Sequence, residues 1–143
     1  MNKERITPTE SEWLIMEAIW EIGDGATSAE IIRKIHEVDD MTVRTIRVLI
    51  TLLIKKGLLT YTVDEHDSRV YHYYALRSKE ECVEDKSRDF ADSYFHGDKT
   101  LAAAAFLQGL VLTDEQIAEL TAILEQSRGK GGDRKPKRGK SKK

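Results

Sequence analysis

At Gly57 the chain changes period. Beyond it, Leu59-Thr60-Tyr61-Thr62-Val63 and Val70-Tyr71-His72-Tyr73-Tyr74-Ala75-Leu76 are runs of β-branched and aromatic residues, which suit a pleated, half-buried surface. The polar stretch from Asp64 to Arg69 joins them as a hairpin loop longer than a tight two-residue turn. Before Gly57, three segments repeat their apolar residues at helical spacing, and chemistry marks each start. Thr7 as N-cap, Pro8 at the first helical position and Glu10 at N3 open the first helix. Along it Trp13, Met16, Ile19 and Trp20 recur, with Leu14, Ile15 and Ile22 widening the face, until Gly23 ends it. Thr27 and Glu30 open a second helix that runs to about Glu37 with Ile31, Ile32 and Ile35 inward. Thr42 caps a third from about Val43 to Lys56, where Lys55 and Lys56 suit the negative end of the helix dipole. Helix, helix, helix, hairpin is the order of a winged helix-turn-helix.

From Ser78 the composition turns helical and acidic. Phe90, Tyr94 and Phe95 are spaced to share a face until His96-Gly97-Asp98 interrupts, and a second helix runs from Lys99 to Gly109. Thr113, with Gln116 as its capping partner, opens a third whose stripe is Ile117, Leu120, Ile123 and Leu124. About 50 residues of short amphipathic helices enclose a poor core alone. Phe90, Tyr94, Phe95, Leu101, Phe106, Leu110, Ile117, Leu120, Ile123 and Leu124 are therefore expected to pack against the same residues of a second copy. The 143 residues thus read as mainly α with a small β-hairpin. Residues 6–77 form the winged helix-turn-helix, 78–127 a three-helix dimerisation module, and 128–143 a disordered basic tail that cannot bury a core.

The formal net charge of −2 conceals a segregation. Residues 1–40 hold four Lys/Arg against ten Asp/Glu, and residues 80–127 hold three against eleven. Residues 41–79 reverse this with seven against three, and residues 128–143 carry nine against one. A polyanion can meet either basic segment.

At about 100° per residue, Ile46, Leu49, Ile50 and Leu53 of the third helix share one sector that must face the first two helices. The opposite sector holds Arg44, Arg47, Val48, Thr51 and Lys55, with Thr45 on its flank, and no acidic residue lies between Thr42 and Val63. A major groove accepts a helix of this size, Arg bridges the two acceptors of a guanine, and a small methyl-bearing side chain sits on a thymine methyl. Thr hydroxyls and the helix start can hold phosphate. A solvated basic face is the plain alternative for an isolated helix. Here a short helix and turn precede it and a wing follows, which is how such a face is presented to DNA. Arg69, and His66 beside it, would be wing contacts, and the basic tail would add non-specific affinity through counterion release.

Thr9-Glu10-Ser11-Glu12-Trp13 leading to Ile19-Trp20, then Thr42-Val43-Arg44-Thr45-Ile46-Arg47-Val48-Leu49-Ile50 with Leu53 to Leu58, then Asp67-Ser68-Arg69-Val70-Tyr71-His72-Tyr73, resemble the BlaI/MecI/CopY family of bacterial penicillinase repressors over residues 6–126. The resemblance implies a homodimeric repressor of a TACA…TGTA type palindrome. In it, positions matching Arg44, Thr45, Arg47, Val48 and Thr51 contact the operator and the C-terminal helices hold the dimer. Copper-sensing members end in a Cys-x-Cys…Cys-x-Cys tail; this tail has no thiol. Penicillinase repressors of this type are inactivated by an upstream sensor protease that cuts an Asn-Phe bond. The matching place is Ala105-Phe106, where Ala replaces Asn. Release of a metal-efflux or other stress operon by a ligand or partner is the alternative, and a winged-helix protein-interaction module is the alternative of another class.

Other chemistries find little to stand on. His36, His66, His72 and His96 form no i,i+3 or i,i+4 pair and read as surface groups rather than metal ligands. Cys82, the single thiol, reads as a half-buried small hydrophobe that could cross-link a dimer only on its symmetry axis. No nucleophile–base motif or phosphate-binding glycine loop is present, so neither an enzyme nor a cofactor is expected. The N-terminus leads into a charged helix and no apolar run reaches 18 residues, so a cytoplasmic chain without a membrane span is expected.

Overall fold

The computed structural model describes residues 6–131, with side chains through residue 128. The elements are α1 (Glu10–Ile22), β1 (Ala26–Thr27), α2 (Ser28–His36), α3 (Val43–Lys55), β2 (Leu59–Val63), β3 (Tyr71–Ala75), α4 (Lys79–Phe95), α5 (Lys99–Gln108) and α6 (Asp114–Gly131). The mainly helical class with a small antiparallel sheet is the one the order of local signals predicts.

The first helix starts two residues later than Thr7 and Pro8 suggest. Thr9 is the cap: its Oγ1 accepts from the Glu12 N–H at 3.2 Å, and the Glu12 carboxylate accepts from the Thr9 N–H at 2.9 Å. Both threonines have a glutamate at N3, so local chemistry cannot choose between them. The choice is tertiary, because the Glu12 carboxylate also receives Lys56 Nζ at 2.6 Å from the end of α3, whereas Glu10 is exposed. Thr27 and Thr42 cap α2 and α3 where the sequence places them. Gly57, at φ +80°, turns the chain out of α3 in a conformation that side chains with a Cβ rarely adopt.

Ile15, Met16 and Ile19 of α1, Ile31 and Ile35 of α2, and Ile46, Ile50 and Leu53 of α3 converge on one core, closed by Leu58, Leu59 and Tyr73. Each such aliphatic side chain contributes about 1.5–3 kcal/mol on burial. Trp13, Leu14, Leu49 and Trp20 are only half-buried. The two tryptophans meet edge to face at 5.5 Å between ring centroids, and Trp20 Nε1 donates to the Arg77 carbonyl at 3.0 Å.

The expected hairpin is a three-stranded sheet in the order β1-β3-β2. Ala26 and Thr27 pair with Tyr73 and His72, while β2 pairs antiparallel with β3 from Leu59↔Ala75 to Val63↔Tyr71. Strand β3 is one residue shorter at each end than the Val70–Leu76 run. A two-residue strand carries no periodicity of its own, so β1 is visible only through its partner.

Residues up to Ala102 form one compact unit, and a second runs from Ala103. The boundary expected after residue 77 falls inside the first unit. There α4 is capped by Ser78 and Glu81 and buries Cys82 and Ala91. Cys82 is buried outright rather than half-buried, and burial pushes its thiol pKa up. In the second unit Thr113 and Gln116 form the expected reciprocal cap. Helix α6 continues through Arg128, whose guanidinium pairs with Glu125 at 3.0 Å, to Gly131. Residues 132–143, expected to be disordered, lie outside the described residues.

Candidate nucleic-acid interface

Helix α3 is oriented by its own amphipathicity. Ile46, Ile50 and Leu53 bind it to the core, which leaves Thr42, Val43, Arg44, Thr45, Arg47, Val48, Thr51 and Lys55 exposed. The structure therefore brings seven of the eight predicted contact residues onto one convex surface. Among the described residues Arg44, Arg47 and Lys55 join no ion pair, so their donors face solvent. Two hydroxyls are less available than the sequence suggests. Thr42 Oγ1 accepts from the Thr45 N–H at 3.1 Å and donates to Thr45 Oγ1 at 3.0 Å. Thr51 donates its hydroxyl proton to the Arg47 carbonyl at 3.1 Å, which leaves its oxygen as an acceptor only.

The eighth residue, Arg69, lies in the β2–β3 turn. Its guanidinium donates from Nε at 3.0 Å and from a terminal nitrogen at 3.2 Å to the two oxygens of Asp67. That pairing holds the Asp67 carboxyl below its ordinary pKa. With its side chain 89% exposed, Arg69 is a wing-tip cation already shared with a carboxylate rather than a free donor. His66 is exposed beside Glu65.

His72 is not the surface group expected. Its Nε2 meets Asp64 Oδ1 at 2.8 Å and its Nδ1 meets the Gly25 carbonyl at 3.0 Å. Both partners only accept, which favours the doubly protonated ring; the bonds to Asp64 and then Gly25 raise the His72 pKa. Asp64 Oδ2 also accepts the N–H groups of His66 and Asp67 at 2.9 and 3.0 Å, and its pKa is lowered, chiefly by His72.

Sequence reasoning missed the tyrosines as well. A cavity of about 460 Å³ lies between α3 and the sheet, lined by Ser28, Arg47, Ile50, Thr51, Ile54, Lys55, Tyr61, Tyr71 and Tyr73. Tyr61 and Tyr71 stack at 4.7 Å between ring centroids. The signal was the strand alternation: with Tyr61 opposite Tyr73 and Val63 opposite Tyr71, all four side chains share one face, but this needs the register.

The residues expected to dimerise fall on both units. Tyr94 and Leu101 in the first are exposed, while Phe90 is half-buried against Tyr94 and Phe95. In the second unit Phe106, Leu110, Ile117, Ile123 and Leu124 are exposed and Leu120 is half-buried. Ala105 and Phe106 both lie exposed on α5. No helix of the described residues is long and apolar enough to cross a membrane.

Three packed helices, a small sheet and one helix displaying a donor-rich convex face define a winged-helix DNA-binding regulator. The sequence profile of the penicillinase repressor family matches residues 8–126, and the chain belongs to that family. It is a DNA-binding transcriptional repressor. Similar proteins include the methicillin resistance regulatory protein MecI of Staphylococcus aureus (strain N315), 28% identical over 126 residues that cover 88% of this chain and 99% of that protein. The penicillinase repressor of Bacillus licheniformis is 27% identical over 122 residues, covering 85% and 92%. Among solved structures, a MarR family transcription regulator is similar with a TM-score of 0.47 at 17% identity, covering 87% of this chain and 72% of that one.

Proposed function

We propose that this repressor acts in the cytoplasm as a homodimer, that α3 of each copy reads one half of a palindromic operator, and that a sensor protease releases it by cutting at Ala105–Phe106. The observation that carries the operator reading is the exposed face of α3. Arg44, Arg47 and Lys55 stand there with Val48 and Thr51 and without a carboxylate among them. Such a set supplies guanine bridging, phosphate attraction and thymine-methyl contact on one rod of groove width. A twofold dimer would present two such helices, and a palindrome mirrors that symmetry. Residues 78–127, as the dimerisation module, supply apolar side chains for it: Tyr94 and Leu101 in the first unit, and Phe106, Leu110, Ile117, Ile123 and Leu124 in the second, are exposed, and exposed apolar side chains in such number favour association.

The test is a filter-binding titration with a duplex carrying a TACA…TGTA palindrome and a scrambled duplex of the same length. Arg47→Ala is expected to cost about 1–3 kcal/mol on the palindrome and much less on the scrambled duplex, as a base-edge contact requires. Equal losses on both would remove sequence readout by α3.

A further inference from the structure

The cavity between α3 and the sheet is lined by Ile50 and Ile54 as well as by polar groups. Arg47 and Lys55 stand on its α3 side, Tyr61 and Tyr71 on its sheet side, and no carboxylate lines it. Among the described residues the hydroxyls of Tyr61, Tyr71 and Tyr73 have no hydrogen-bond partner. Tyr61 and Tyr71 are 40% and 36% exposed, large values for ring faces already stacked on each other. Ser28, the first residue of α2, adds the positive end of that helix dipole to the rim. Two cations, free hydroxyl donors and a helix start around one space describe a receptor for an oxyanion. Arg47, Thr51 and Lys55 belong both to this lining and to the exposed face of α3, so a duplex seated on α3 brings one of its two backbones to this notch.

We propose that the notch between α3 and the β2–β3 sheet seats the sugar-phosphate backbone bordering the groove that α3 enters, with the Tyr61 and Tyr71 hydroxyls donating to phosphate oxygens that Lys55 also holds. The proposal rests on α3 being the DNA-reading helix. It assigns the tyrosines a sequence-independent role: they fix how deep and at what angle α3 lies, while Arg44 and Arg47 discriminate bases.

The double variant Tyr61→Phe/Tyr71→Phe keeps the stacked rings and removes only the hydroxyls. Its affinity at fixed salt is expected to fall at least about tenfold, and equally, on palindromic and scrambled duplexes, as loss of hydrogen bonds to a charged acceptor predicts. The slope of log affinity against log salt stays unchanged because no charge is lost, whereas Lys55→Gln lowers it by about 1. A second arm leaves the protein intact. Single methylphosphonate linkages are scanned along the duplex, and the linkage at the seated phosphate should weaken the double variant less than it weakens the wild type.

Unchanged affinity of the double variant on both duplexes would overturn the proposal, as would a loss confined to the palindrome or a scan in which no linkage separates the two proteins. If the wild type binds neither duplex, α3 itself is not a DNA-reading helix, and the failure is of that broader reading.

Discussion

Glu12 lies in the first turn of α1 with 2% of its surface exposed, and Lys56 reaches it from beyond the end of α3. Burial alone pushes the carboxyl pKa up, but the Lys56 ammonium and the Thr9 N–H outweigh it and hold the pKa below its ordinary value. The pair is lopsided, since the lysine side chain keeps 30% exposure and can return to water while the glutamate cannot. Removing the lysine therefore strands a buried charge. Lys56→Met is expected to cost about 3–5 kcal/mol in urea unfolding, with part of it recovered in Glu12→Gln/Lys56→Met. A single variant within about 0.5 kcal/mol of the wild type would show the pair to be incidental. The sequence displays Glu12 only as a glutamate before Trp13. Its role was illegible because the partner lies 44 positions away.

His72 acts on an element, the wing. Strand β3 carries it, Asp64 follows β2, and Gly25 precedes β1, so one ring ties the three strands together. Its pKa is raised in the fold, so the stabilisation is complete below the unfolded value of 6.5 and is lost as pH rises through the higher folded value. Asp64 behaves oppositely: its contribution is present above the unfolded 3.8 and is lost as pH falls through the lower folded value. Glu30 of α2 adds a weaker raising influence on the ring. The clasp is thus firmest between these two unfolded values. The melting temperature of the wild type should fall relative to His72→Gln as pH rises above 6.5; parallel curves for the two proteins would disprove the clasp. Helices α2 and α3 were legible because Thr27, Thr42 and their N3 partners act within one turn. The third strand, the clasp and the tyrosine notch were not, because each depends on which residues the registers of β1 and β2 against β3 bring together.

Across the whole molecule, the two compact units divide the work that the proposed mechanism requires. The exposed α3 face belongs to the first, and Ala105, Phe106 and the apolar stripe of α6 to the second. A cut at Ala105–Phe106 separates α6 from the winged helix without touching α3. An activated sensor protease is therefore expected to yield two fragments meeting at Phe106, with sedimentation falling from dimer to monomer and operator affinity falling with it. An intact chain that still loses repression in induced cells would assign release to a ligand or partner. The halves also differ in a practical way. Both tryptophans of the chain lie on α1, in contact with each other, and one is bonded to the Arg77 carbonyl just ahead of α4. The tryptophan emission of this repressor is accordingly a gauge of one joint, where α1 grips residue 77.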